Sequence, residues 1–443
     1  MKSVIGKVFI IGAGPGDPGL ITVKALEKLK QADVVVYDRL INNDLLAYCK
    51  RECEKIFVGK ESGYHPIEQE SIIDILICKS KLGFSVVRLK GGNPFVFGRG
   101  SEEASALKAA GIDYEIIPGI TSGLSAPIYS GIPITHRGLI TQCVLITAHE
   151  CPDKPETQVE WEKLAKLKNT TLIIYMGASR IERICSELIK HGMSPTMPTA
   201  VIENGTLSKQ RTITSSLDTI WEEYKKQNLH PPVIIMVGPT VSLRDEISWF
   251  EQKPLFNKRI VLVGNLENSS ELKNSLYDLG GDLLFFPIKT HEEEIWETIS
   301  SSKFQINENN FLDIKNETIY NTLTKKNNRY DLTFEISQEP NYDGFDCSSL
   351  LKYEQEEEII NNIKKNNADV YIFTSFEAVK NFFTIFGTET ATILLRKSIS
   401  LALNQSVQNA LIKKASINVN VLPNKTAKEI SKLICNFFNL SKG

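Results

Sequence analysis

One stretch constrains the fold more than any other: Phe84-Ser-Val-Val-Arg-Leu-Lys-Gly-Gly-Asn-Pro-Phe-Val-Phe-Gly-Arg-Gly-Ser-Glu-Glu103. Its β-branched, apolar start fits a pleated, half-buried strand. Gly91-Gly92 ends that run, because glycine lets the backbone turn sharply or lets a ligand come close. Pro94 donates no ladder hydrogen bond, so the strand does not continue through it. Past Gly100, Ser101-Glu102-Glu103 followed by Ala104, Leu107 and Ala110 predicts a capped helix start. Strand, glycine turn and helix, in that order, are the place where an open α/β sheet binds small ligands at its carboxyl edge. This turn also carries Arg88, Lys90, Arg99 and two phenylalanines, more chemistry than a connector needs.

The same grammar repeats upstream. Val8–Ile11 reads as a strand running into Gly12-Ala-Gly-Pro-Gly-Asp-Pro18, and Thr22–Gln31 as a helix with Val23, Leu26 and Leu29 on one face. A dinucleotide fingerprint starting at Gly12 would need glycine at position 17, which is Asp17, and Pro15 and Pro18 spoil the helix start that would receive a pyrophosphate. NAD binding is therefore not expected. Further strands are predicted at Asp33–Tyr37, Lys55–Val58 and Tyr114–Ile117, each ending in polar or glycine residues. They describe a parallel sheet with one functional edge. Pro118–Ser122 breaks the pattern and is expected to be a hinge.

From about residue 121 to 246 a second α/β subdomain is expected, with strands at 143–147, 171–176, 199–203 and 232–238 and helices over 179–191 and 217–227. Gly131-Ile-Pro-Ile-Thr-His-Arg137 is stiff and extended, presenting His136 and Arg137. A cleft between two such lobes is the usual place for a small-molecule site. Residues 247–258, holding Pro254, read as a linker, and 259–443 as a further unit. Within it, 303–367 is rich in Asn, Lys and Glu and reads as solvated surface.

The 443 residues suffice for two to three domains, and 42% hydrophobic with 23% charged residues belongs to soluble globular chains. A net charge of −2 provides no global field for nucleic acid. No apolar run approaches the roughly 20 residues that span a bilayer, and the N-terminus lacks a signal-peptide core. A cytoplasmic protein without membrane or nucleic-acid partners is expected. The eight cysteines form no C-x-x-C pair, so reduced thiols and no metal site are expected.

The strand ends and the second lobe together offer Asp38, Arg39, Lys60, Arg88, Lys90, Arg99, His136 and Arg137. One carboxylate amid many cations points to a polyanionic substrate and a single acid/base group.

These pieces, in this order, resemble the tetrapyrrole methylase family and, within it, the uroporphyrinogen-III C-methyltransferases. The resemblance rests on residues 8–18, Val-Val-Tyr-Asp-Arg-Leu40, Val-Gly-Lys60, 88–100, Pro-Gly-Ile-Thr-Ser122, Gly-Ile-Pro-Ile-Thr-His-Arg137, Tyr-Met-Gly177 and Glu-Asn-Gly-Thr206. It implies a two-lobed fold over 1–246 and S-adenosylmethionine as methyl donor. Uroporphyrinogen III would be the acceptor, methylated twice to precorrin-2 via precorrin-1, and the assembly a homodimer. Carried over by motif, Pro15, Gly91, Gly92, Asn93, Val96, Thr121, Ser122, Met176 and Gly205 would bind the cofactor. Asp38 would accept a proton and Lys60 donate one. Arg39, Arg88, Lys90, Arg99, His136 and Arg137 would suit the substrate's carboxylates.

Asn93 stands where the family pattern has aspartate. If that position faces the sulfonium, the lost charge would cost up to roughly 3 kcal/mol at ~5 Å and an effective dielectric of ~20. If it works through backbone groups, asparagine costs little. Weaker cofactor binding with retained chemistry is expected.

Residues 259–443 resemble uroporphyrinogen-III synthase through Arg259–Val263, Ile372-Phe-Thr-Ser375, Ala378–Phe383 and Lys425–Ile430. They depart from it at Gly264-Asn265 and at Leu403–Val407. That resemblance implies a further α/β domain and identifies no catalytic residue.

Overall fold

The computed structural model describes residues 5–50, 52–59, 68–148, 158–264, 270–286, 360–361, 363–365, 367–422 and 426–440. The fold is α/β, with three five-stranded sheets ordered β3-β2-β4-β1-β5, β6-β7-β10-β8-β9 and β12-β11-β13-β14-β15. In the first sheet β1 (Val8–Gly12), β2 (Val34–Tyr37), β3 (Glu54–Phe57), β4 (Val86–Lys90) and β5 (Tyr114–Ile117) are all parallel. Side chains alternate across a strand, so each of these valine-rich runs feeds two cores. Val8, Ile10, Val34, Val36 and Val86 pack on one face with Ile72, Leu76 and Leu107. Phe9, Ile11, Val35, Val87 and Leu89 pack on the other with Ala25 and Leu29. Fully burying one such Ile or Leu contributes about 1.5–3 kcal/mol.

The second sheet is mixed. Parallel β6 (Gln142–Thr147) and β7 (Thr170–Tyr175) are followed by antiparallel pairings among β7, β10 (Val233–Val237), β8 (Pro198–Glu203) and β9 (Arg211–Ser216). Strand β9 has no apolar run in its sequence. Its Arg-Thr-Ile-Thr-Ser-Ser residues are exposed or half-buried at the sheet edge, which is why hydrophobic pattern alone misses it.

The third sheet is again all parallel: β11 (Arg259–Val263), β12 (Asp282–Phe286), β13 (Val370–Phe373), β14 (Ile399–Ala402) and β15 (Asn420–Val421). Most of the Asn-rich stretch over 303–367 lies outside the described residues.

The segment 247–258 is not an open linker. Phe250 is 5% exposed and Leu255 0%, and the Phe250 ring meets those of Tyr129, Trp249 and Phe256 at 4.7, 5.5 and 5.5 Å. Four closely spaced aromatic and apolar residues gave it enough surface to pack, despite Pro254. Residues Pro118–Ser122, expected as a hinge, form the crossing from β5 into a helix over Ser122–Tyr129, with Gly119 set against Gly12 and Gly92 and Ile120 exposed. Among the described residues no helix is long and apolar enough to cross a membrane.

Candidate active site

Because the strands of the first sheet are parallel, their carboxyl ends and the five following turns lie along one edge. Every turn contributes to one cleft of about 1720 Å³: Gly14–Asp17 after β1, Asp38–Asn42 after β2, Gly59 after β3, Gly91–Asn93 after β4, and Thr121 and Ser122 after β5. The second sheet closes it with Tyr175 and Met176 after β7 and residues 203–209 after β8.

Three turns meet backbone to backbone at the base. A Cβ on Gly12 would lie 2.5 Å from Gly119 N, and one on Gly119 would lie 2.3 Å from Gly92 O. Gly14 and Gly92 exchange hydrogen bonds of 3.2 and 2.7 Å. Asn93 is built into this junction: its Nδ2 donates to Gly119 O at 3.0 Å and its Oδ1 accepts from Phe95 N–H at 2.9 Å. An acceptor on one side and a donor on the other match a carboxamide, whereas a carboxylate could serve only the second.

Beneath Asp38 lies a buried bed of charge. Glu103 is 0% exposed, with Oε1 accepting from Arg88 Nε at 3.2 Å, Lys90 Nζ at 3.0 Å and Gln69 Nε2 at 3.0 Å. Arg88, 3% exposed, spends Nη1 on the carbonyls of Val36 and Leu89 and points Nη2 at Asp38 Oδ2, 3.6 Å away. Asp38 Oδ1 accepts from Leu40 N–H at 3.0 Å. One oxygen is thus pinned by backbone and the other faces a fixed cation, which orients the carboxylate at the cleft wall. Burial, and then the adjacent Arg88, hold the Lys90 ammonium below the ordinary lysine range.

The two lobes are cross-linked around the cleft. Tyr175 OH lies 2.8 Å from Thr121 Oγ1 and accepts from Gly123 N–H at 3.0 Å; a Cβ at Gly123 would collide with it. Asp17 accepts from Tyr129 OH at 2.7 Å, and its own N–H donates to Thr206 Oγ1 at 3.0 Å. Within the first lobe, Asn42 Nδ2 donates to Gly16 O at 2.9 Å. Of nine non-glycine residues with left-handed backbone among the described residues, Phe97, Met176, Asn204 and Thr206 line this cleft. Such conformations cost roughly 1–3 kcal/mol each and persist where the surroundings impose them.

The residues singled out by sequence divide. Pro15, Gly91, Gly92, Asn93, Val96, Thr121, Ser122, Met176, Gly205, Asp38, Arg39 and Lys90 all line the cleft. Lys60 lies outside the described residues. Arg88 is committed beneath Asp38. Arg99 is exposed and holds Glu102 at 2.7–2.9 Å, while His136 and Arg137 are exposed on a turn bridged to Ile140; none of these three lines the cleft. Sequence reading missed Asp17, Asn42, Tyr175 and Glu103. Asp17 and Tyr175 fall inside the family motifs, but their roles depend on partners up to 189 residues away, which no motif states.

Backbone-rich turns of a parallel sheet, closed over by a second sheet and lined by oriented carboxylates at Asp17 and Asp38, form the small-molecule cleft of a two-lobed α/β protein. Residues 7–220 match the model of the tetrapyrrole (corrin/porphyrin) methylases. The chain is 49% identical over 241 residues to the uroporphyrinogen-III C-methyltransferase of Methanocaldococcus jannaschii, covering 54% of this chain and 98% of that one. It is 43% identical over 282 residues to the Bacillus subtilis protein of that name, covering 64% of this chain and spanning 58% of the relative's length. A solved uroporphyrin-III C-methyltransferase from Thermus thermophilus, complexed with S-adenosyl homocysteine, is 35% identical with a TM-score of 0.45, covering 53% of this chain and 93% of that chain. The chain belongs to the tetrapyrrole methylase family. The methyl donor of that family is S-adenosylmethionine.

The residues present fit such a donor. Gly92, at φ +67°, would present an added Cβ to nothing nearer than Ser122 N at 3.8 Å and Thr121 Cα at 3.9 Å. It thereby leaves an open, backbone-lined cradle facing the positive end of the Ser122–Tyr129 helix. Val96, Met176 and Ala126 supply apolar surface beside it.

Proposed function

We propose that this chain transfers methyl groups from S-adenosylmethionine to carbon atoms of uroporphyrinogen III, forming precorrin-2 by way of precorrin-1. The observation that carries the reading is Asp38, held by Leu40 N–H and Arg88 at the edge of a backbone-lined cleft. The C-methyltransferase names of relatives 43% and 49% identical support it. The donor brings an electrophilic methyl on a sulfonium. Pro15, Gly91, Gly92, Asn93, Val96, Thr121, Ser122, Met176 and Gly205 would hold it. Asp38 would take the proton that the methylated ring system releases, and Lys60 would return one. Arg39 and Lys90 are the predicted cations that line the cleft and would meet substrate carboxylates. Alignment dominates the catalytic task, because the sulfonium is already activated.

Incubation with uroporphyrinogen III and methyl-labelled S-adenosylmethionine tests this directly, and absence of label in the tetrapyrrole overturns it. For residues 259–443 the reading is a uroporphyrinogen-III synthase-like unit, in keeping with its all-parallel sheet. Supplying hydroxymethylbilane instead should yield methylated type III product without added synthase if that unit is active. A homodimer is supported by the exposed Ile128, Ile247 and Trp249 beside one helix (51%, 50% and 42%) and is checked by sedimentation.

A further inference from the structure

The C-terminal unit also reaches the cleft. Tyr277, Gly280, Asp282 and Leu284 line it together with the turns of the first sheet. Their placement is stitched at several points. Leu255 N–H donates to Leu279 O at 2.9 Å and Asp282 N–H to Lys258 O at 2.8 Å. Asn257 N–H reaches Ser208 Oγ at 3.0 Å, tying the same segment to the β8 turn.

The C-terminal unit also meets the 3₁₀ turn Asn43–Tyr48. Tyr277 OH donates to Asp44 Oδ2. The Lys273 ammonium, on a residue 9% exposed, sits 5.7 Å from the ring of Tyr48, 5.8 Å from that of Tyr277 and 4.7 Å from that of Phe285. That turn continues directly from the loop bearing Asp38 and Arg39, and at its start Asn42 is bonded to Gly16. A short chain held at both ends cannot move freely between them.

We propose that residues 270–286 form a working wall of the cleft, in which Tyr277 and Lys273 latch the 43–48 turn and so position the Asp38 loop. Tyr277 and Lys273 are positioning residues, acting through the turn and not on the reacting atoms. Loss of the hydroxyl in Tyr277→Phe leaves Asp44 without its donor in a largely desolvated place.

Amide hydrogen exchange on the full chain reads the latch without reference to activity. Tyr277→Phe is expected to raise exchange across 43–48 about tenfold, and Lys273→Met about threefold, with the amides of β7 and β10 unchanged. Should Tyr277→Phe fail to fold, Lys273→Met carries the same reading. Unchanged exchange over 43–48 in a folded variant overturns the latch, as does an equal rise across all three sheets. The kinetic consequence rests on the methylation proposed above: kcat falls about tenfold in Tyr277→Phe while S-adenosyl homocysteine affinity stays within twofold. If the parent transfers no methyl group, the activity reading fails and exchange alone decides the latch.

Discussion

The first and third sheets are both five parallel strands, yet the described residues at their carboxyl edges are used differently. At the first edge Asp38, Lys90, Thr121 and several glycines open onto one cleft. At the third edge the polar residues after β13 and β14 serve the fold: Ser375 Oγ accepts from Ala378 N–H at 3.1 Å and Asn404 Oδ1 from Val407 N–H at 3.0 Å. Thr374 Oγ1 donates to Val263 O at 3.2 Å and fills the place a Cβ at Gly264 would need. Topology places a site at a carboxyl edge. Whether that edge is available depends on where its few polar groups spend their hydrogen bonds.

Substitutions at the two edges should separate them, beginning with the largest effect. Asp38→Ala is expected to lower methyl transfer by about 10²–10⁴, the range of a lost acid/base group, with S-adenosyl homocysteine affinity within twofold by calorimetry. Equal losses in both would make Asp38 structural. Gly119→Ala forces a methyl to 2.3 Å from Gly92 O, so the methylase unit should lose about 3 kcal/mol in denaturant unfolding. Gly387→Ala in the C-terminal unit meets nothing within 4 Å and bears only the backbone strain of φ +73°, ψ 155°, about 1–3 kcal/mol. Similar costs at the two glycines would remove the contrast.

Asn93 spends its carboxamide on Gly119 O and Phe95 N–H, so a structural role replaces the weaker cofactor binding expected from its missing charge. Asn93→Asp loses the donor to Gly119 O and should cost about 1–3 kcal/mol of stability with no gain in donor affinity. A tenfold gain would show that charge at this place outweighs the junction. Asp44 sharpens the comparison through pH. Burial raises its carboxyl to about 6, with Asp282 adding to the shift and Lys273 opposing it. Undocked, it returns to the ordinary range near 4. The docked arrangement then binds more protons, so exchange protection of 43–48 is greatest below about pH 4 and declines as pH rises towards about 6. Asp44→Asn should flatten that profile. Smallest of all, Arg99→Ala breaks an exposed pair and should change stability by less than about 0.5 kcal/mol and leave the acceptor KM unaltered.

Much of this was legible in the chain. Valine-rich runs ending at Gly12, Asp38, Gly59 and Gly91 announced a parallel sheet and its working edge, because burial on both faces leaves only the turns for chemistry. Cations were the less legible part. Arg88 and Arg99 look alike in sequence, eleven residues apart on either side of one turn. Arg88 is buried against Glu103 and faces Asp38, whereas Arg99 is exposed and salt-bridged to its neighbour Glu102. A charged side chain's role depends on the partner it finds, and Glu103 is found only once the helix after β4 folds back.

By itself, the sequence determined the α/β class, the strand ends that line the cleft and the kinship with tetrapyrrole methylases. These rest on local periodicity, on glycine's conformational freedom and on motif order, all written along the chain. Tertiary structure alone decided that Asn93 bonds across to Gly119, that Tyr175 fastens the turn after β5 and that Asp17 joins the two lobes. It also decided that the C-terminal unit presses Tyr277 onto Asp44. Each of those contacts joins residues 26 to 233 positions apart. Burial sets their strength, and no local pattern encodes burial against a distant partner.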